Sequence, residues 1–211
     1  MAEGWALAPR VANVVAKGAS PMATLAPPPP ASGVLAHGLP AGTRAPELDL
    51  PSTPYGRRVK LSDQKGSPAV LVFYPGDFTR VCTNELGLFN ELMFVFGQFG
   101  AKVFGISCDS LWSHIAFAKE LHIQIPLLSD FHPKGEASRR YNVYREDVGI
   151  CERALYVIDG KGVIYWSYVS PIELNPGADG VIDALERLTG KQMEFPTFQP
   201  QQQPPQTEAR T

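Results

Sequence analysis

The stretch Ala69-Val70-Leu71-Val72-Phe73-Tyr74-Pro75-Gly76 decides the fold. Six consecutive aliphatic or aromatic side chains make a continuous apolar run rather than an alternating one, the pattern of a strand covered on both faces. Pro75 cannot donate to a ladder, so Pro75-Gly76 ends the strand. A strand hidden on both sides needs helices around it, and the sequence downstream supplies them. From Cys82 to Phe99, Leu88, Phe89, Leu92, Met93, Phe96 and Phe99 fall on one helical face. Val103-Phe104-Gly105-Ile106 predicts a second buried strand. Asp109-Ser110 can cap a helix from Leu111 to Leu121, with Trp112, Ile115, Ala116 and Lys119 at helical offsets. Pro126-Leu127-Leu128 predicts a short extended piece, and Glu136 to Tyr141 a short helix.

A third strand follows at Ala154-Leu155-Tyr156-Val157-Ile158. Asp159-Gly160-Lys161-Gly162 separates it from Val163 to Val169, a strong hairpin signal. Asp179 to Leu188 predicts a closing amphipathic helix ended by Gly190. Strands joined by helical crossovers should be parallel, and the last pair antiparallel. The expected architecture is α/β: a central mixed sheet with flanking helices in the thioredoxin-like layout. Such a fold hosts many chemistries and says little about function by itself.

The chain has 211 residues, of which 44% are hydrophobic, enough for one domain with a core that needs no disulfide staples. A net charge of -2 gives no electrostatic case for nucleic acid or an anionic membrane. No apolar run is long enough for a membrane-spanning helix. Three sparse cysteines argue for reduced thiols and a cytoplasmic setting. The 20 prolines crowd the two ends. Residues 1–41, rich in Ala and Pro, and residues 196–211, rich in Pro and Gln, are expected to be disordered tails around a domain at 42–195. Trp5 to Val15 has the pattern of a short amphipathic turn.

Cys82 follows the first strand by eight residues and begins a helix. In open α/β sheets, sites gather beyond the carboxyl ends of strands. With Thr79 as N-cap, Cys82 occupies the third helical position, where a helix N-terminus favours an anion and thiolate is the reactive form of cysteine. The helix alone is not enough. Its dipole is worth about 0.3–1 kcal/mol, whereas moving a thiol from a pKa of about 8.5 to about 6 takes roughly 3.4 kcal/mol. A cation and direct hydrogen bonds must supply the rest. Taken by itself, Cys82 reads equally well as a small buried residue.

The run Phe73-Tyr74-Pro75-Gly76-Asp77-Phe78-Thr79-Arg80-Val81-Cys82-Thr83-Asn84-Glu85 resembles the peroxiredoxin signature, Pro-x-x-x-Thr-x-x-Cys followed by Thr-x-Glu. The resemblance extends to Gly42-Thr43-Arg44-Ala45-Pro46, to Ile106-Ser107-Cys108-Asp109-Ser110 and to the segment from Gly149 through Arg153 to Asp159. It implies a thiol peroxidase. Cys82 would attack the peroxide and become a sulfenic acid. Arg153 would stabilise thiolate and peroxide charge. Thr79 would hydrogen-bond sulfur and the attacked oxygen, Pro75 would limit water, and Glu85 would orient a basic partner. Without the resemblance, Thr79 is a plain cap, Pro75 a strand terminator and Arg153 a surface residue.

Position 87, where one subclass keeps a second cysteine, is Gly87, and Lys191 to Thr211 contains no cysteine. The loop Ser170 to Gly177 lacks the second arginine that typical two-cysteine members carry. Cys151 and Cys108 remain as candidate resolving cysteines. Two-residue alternation puts Cys151 on the strand face of Arg153. The expectation is a one-cysteine enzyme that takes peroxide as substrate, is reduced by an external thiol (thioredoxin-like, glutaredoxin-like or of low molecular weight), and forms a homodimer, as the resemblance implies. No zinc-ligand spacing or cofactor motif occurs, so neither metal nor cofactor is expected. His114 reads as a packing or polar-face residue. The alternative function is a redox-sensing or chaperone-like thiol switch, which reacts once where an enzyme cycles.

Overall fold

The computed structural model describes residues 38–193. The expectations for the tails and for Trp5 to Val15 lie outside these residues, apart from 38–41. Of those four, Gly38 and Leu39 bond to the domain. Gly38 N–H donates to Asn142 O at 2.7 Å, and the Ser167 hydroxyl donates to Leu39 O at 2.8 Å.

In chain order the elements are β1 (Asp49–Ser52), β2 (Arg57–Lys60), a 3-10 turn (Leu61–Gln64), β3 (Ala69–Phe73), α1 (Arg80–Glu91), α2 (Met93–Gln98), β4 (Lys102–Ser107), α3 (Leu111–Leu121), β5 (Leu127–Ser129), α4 (Glu136–Arg140), β6 (Tyr144–Arg145), β7 (Ile150–Cys151), β8 (Arg153–Ile158), β9 (Ile164–Ser170) and α5 (Asp179–Thr189). Seven strands form one mixed sheet in the order β2-β1-β5-β4-β3-β8-β9, and β6-β7 is a separate pair. β3 pairs with β4 in parallel, and β4 with β5 in parallel. β8 is antiparallel to both β3 and β9. The thioredoxin-like layout is as the sequence predicts.

The sheet separates two apolar clusters. Val70 and Val72 of β3, with Leu155 and Val157 of β8, join side chains of α1, α2, α3 and α5. Ala69, Leu71 and Phe73, with Ala154, Tyr156 and Ile158, join Leu48, Leu50, Ala137 and Tyr141 on the other side. This alternation from adjoining strands is the pleat expressed as packing. Gly105 in β4 allows the close approach, since a Cβ there would lie 2.7 Å from Leu127 Cδ2.

Two expectations are corrected. The helix predicted from Cys82 to Phe99 is two helices, because Leu92 leaves the helical region at φ -89°, ψ 9°. The bend brings the Phe89 and Phe96 rings into a stack with centroids 5.5 Å apart. The predicted face of α3 is also wrong. Trp112 is 67% exposed and stacks on Tyr55, while His114 and Phe117 are buried. A histidine takes a core position here because both ring nitrogens find partners.

Candidate active site

The end of β3 and the start of β8 lie side by side, with Phe73 opposite Ala154. The chain leaving β3 and the residue opening β8 therefore emerge together. The first is the loop Pro75 to Thr79, which leads into α1. The second is Arg153. Thr79 is the N-cap residue of α1, as expected, and its carbonyl accepts from Thr83 N–H at 2.9 Å. Its exposed side chain does not cap the helix. The hydroxyl donates to Gly76 O at 3.1 Å and tightens the loop. Pro75 is partly buried directly after Tyr74.

Cys82 lies in the first turn of α1 and is fully buried. Arg153 NH2 reaches its sulfur at 3.4 Å. Arg153 NH1 donates to Glu85 Oε2 in a buried ion pair. Nε and NH2 both donate to Ile172 O, at 3.1 and 2.9 Å. The loop at 170–177, which lacks an arginine of its own, thus holds this one by a backbone carbonyl. The planar guanidinium fork suits this many-sided task, with a fixed direction for each N–H. Burial lowers the Arg153 pKa, and the Glu85 carboxylate and Cys82 sulfur more than offset it. Burial pushes Glu85 up to about 7, against the pull of Arg153. Cys82, Glu85 and Arg153 are therefore brought together, with a fixed cation against the sulfur. Such a site favours a sulfur anion and any negative charge that develops beside it.

The sequence reading missed the support beneath the loop. Tyr74 OH donates to Asp77 Oδ1 at 2.8 Å, and His114 Nδ1 lies 2.9 Å from Asp77 Oδ2. His114 Nε2 lies 3.2 Å from Leu128 O. Asp77 N–H donates to Asp109 Oδ2 at 2.8 Å, and Ser107 donates to the same oxygen. These bonds tie the loop to β4, β5 and α3. Between them Phe78 is held at φ +58°, a region costly for a bulky residue, with its ring edge-on to Phe117. A histidine three residues before a buried aromatic on a capped helix was the available signal.

The cysteines Cys108 and Cys151 are not brought to this site. Both pack in the cluster on the other side of the sheet. Two-residue alternation predicts that Cys151 shares the face of Arg153; it does not, because the strand is interrupted at Glu152, whose N–H donates to Val143 O at 2.7 Å. β8 starts afresh at Arg153, so the two side chains no longer share a face.

The AhpC/TSA family profile matches residues 41–167. Peroxiredoxin-2 of Bos taurus is 37% identical over 69% of this chain and 76% of that protein. Peroxiredoxin-2 of Pongo abelii is 34% identical over 74% of this chain and 94% of its own. Among solved structures, reduced 2-Cys peroxiredoxin of Plasmodium vivax superposes with a TM-score of 0.65 at 26% identity, over 70% of this chain and 81% of that one. A family profile spanning more than half of the chain, on a matching fold, settles the affiliation: this chain belongs to the AhpC/TSA family, the peroxiredoxins.

Proposed function

We propose that this thiol-dependent peroxidase is a one-cysteine peroxiredoxin, which reduces hydrogen peroxide and organic hydroperoxides through a sulfenic acid on Cys82. One observation carries the residue assignment. The Arg153 guanidinium touches the Cys82 sulfur while a buried carboxylate fixes its other arm. The Cys82 thiolate attacks one peroxide oxygen and the O–O bond breaks. The departing hydroxide or alkoxide takes a proton and leaves as water or alcohol, and the sulfur is oxidised by two electrons. Arg153 stabilises the charge that passes from sulfur to oxygen. Thr79 turns its hydroxyl from Gly76 O to the attacked oxygen, and Pro75 shields the sulfur from water. Glu85 is a positioning residue that acts through Arg153.

Resolution comes from outside. An external thiol attacks the sulfenic sulfur, water leaves, and a second thiol breaks the mixed disulfide. The support for this reading is that Cys108 and Cys151 pack across the sheet from Cys82. A reductant of the thioredoxin, glutaredoxin or small-thiol type, a homodimer and a reducing, cytoplasmic setting fit this chemistry. The test is peroxide consumption with a dithiol supply. Many turnovers per chain, abolished in Cys82→Ser, are expected. A single turnover per chain would favour the thiol-switch reading, and normal turnover in Cys82→Ser would reject the assignment.

A further inference from the structure

We propose that Cys108 and Cys151 form a second redox site, an internal dithiol that hydrogen peroxide oxidises to a disulfide on the face of the sheet opposite Cys82. Cys108 directly follows β4, and Cys151 ends β7. The Cys151 sulfur lies 3.7 Å from Ile106 O, two residues before Cys108, and both thiols pack in one buried cluster, where each shifts the titration of the other. The Cys108 sulfur is also 3.9 Å from Ser138 Oγ. Ser138 is itself pinned by Asp130, to which its hydroxyl donates at 2.7 Å. A bond between them requires the two sulfurs to close to about 2.05 Å.

The two thiols differ in the way such chemistry requires. The neighbouring Cys151 thiol lowers the Cys108 pKa, and burial opposes it. Burial pushes the Cys151 thiol well up. Cys108 is the residue with a path to solvent, at 6% exposure, while Cys151 is fully covered. Cys108 is thus the attacking thiolate and Cys151 the proton-bearing partner. The Cys108 sulfur attacks one peroxide oxygen, the O–O bond breaks, and hydroxide leaves with a proton as water. The Cys151 sulfur then attacks the Cys108 sulfenic sulfur, the S–O bond breaks, and the Cys151 proton leaves with the hydroxyl as a second water. Two thiols lose two electrons and one peroxide gains them.

The pair also touches the catalytic loop from behind. The Cys151 S–H donates to Tyr74 O at 3.0 Å, the carbonyl of the residue whose C–N bond leads to the Pro75 nitrogen. Cys108 precedes Asp109, which holds the Asp77 amide. A disulfide takes the proton donor away from Tyr74 O.

The experiment uses the full chain carrying Cys82→Ser, so that its outcome is independent of the role of Cys82. The reduced protein is treated with hydrogen peroxide, quenched in denaturant with an alkylating reagent, and mapped by peptide mass spectrometry. The expected result is loss of both alkylatable thiols, a mass lower by two hydrogens, and a linked peptide pair containing Cys108 and Cys151, restored by dithiothreitol. Adding Cys151→Ser should halt the reaction at Cys108 sulfenic acid, trapped by dimedone. Two free thiols after prolonged excess peroxide, or oxidation only to sulfinic acid or to bonds between chains, overturns the proposal. Repeating the series in Cys82→Ala, with circular dichroism to confirm folding, guards against a variant-specific artefact.

Discussion

Arg153 and Glu85, 68 residues apart in sequence, form a buried ion pair in which the carboxylate is only half satisfied. Oε2 takes NH1 of Arg153, while Oε1 is buried with no hydrogen-bond partner among the described residues. A carboxylate held this way orients the guanidinium toward Cys82 at a cost in solvation. The site thus trades stability for the placement of one cation.

That cost depends on pH. Glu85 releases its proton near 4.5 when the chain is unfolded and near 7 when it is folded. Between these values the folded chain holds the extra proton. The stability that Glu85 contributes is therefore complete below pH 4.5 and lost as pH rises to about 7, by about 3 kcal/mol. Glu85→Gln removes the titrating group and keeps an oxygen for Arg153. Urea unfolding of both proteins across this window should show wild type losing stability relative to the variant as pH rises. Parallel curves would reject the assignment.

Arg153→Lys separates charge from geometry. Lysine keeps the cation but cannot reach Cys82, Glu85 and Ile172 O at once, as the guanidinium does. The rate constant for peroxide should fall roughly 10²–10³-fold, the usual loss when one preorganised donor is removed. Stability should fall by about 1–3 kcal/mol from acceptors left without partners. Stopped-flow fluorescence and chemical denaturation measure the two effects.

Glu85→Ala should be worse for the fold than Glu85→Gln. It leaves a cavity and removes the anion beside a buried guanidinium, and breaking one side of a buried pair costs about 3–5 kcal/mol. Its peroxide rate should also drop, because nothing then holds the NH1 arm. Denaturation midpoints for the two variants give the comparison, and equal midpoints would show that the carboxylate does not position Arg153.

What the sequence disclosed follows from how each signal is encoded. β3, β4 and β8 are continuous apolar runs because both faces of the sheet are covered, so they stand out from the sequence alone. Cys82, Thr79, Pro75 and Arg153 were legible through motif spacing, and Cys82 with Arg153 meets in space because β3 and β8 are neighbours. β1 and β2 were not. Asp49–Ser52 and Arg57–Lys60 are a polar pair at the sheet edge, with little apolar periodicity. The break at Leu92 was hidden because apolar spacing continues through it. Cys151 was misplaced because two-residue alternation assumes an unbroken strand, and Glu152 interrupts it. The role of His114 depends on Tyr74, Asp77 and Leu128, none adjacent to it in sequence, so its helical spacing to Phe117 marks its burial but not its partners.

His114 therefore offers the sharpest test of the loop support. Both its ring nitrogens face oxygen acceptors, and it joins α3 to the loop through Asp77 and to β5 through Leu128 O. His114→Leu fills much of the same space but leaves Asp77 buried with one fewer partner. It should cost about 1–3 kcal/mol of stability, the usual penalty when a buried polar group loses its partner. Asp77→Asn removes the charge instead, so the double variant should cost less than the sum of the singles, with a coupling of roughly 1–3 kcal/mol. The peroxide rate should fall in each single variant, because the loop before Cys82 loses its tie to α3, while thermal unfolding remains cooperative. A His114→Leu variant with wild-type stability and wild-type peroxide rate would mean that the buried network packs the core without holding the catalytic loop.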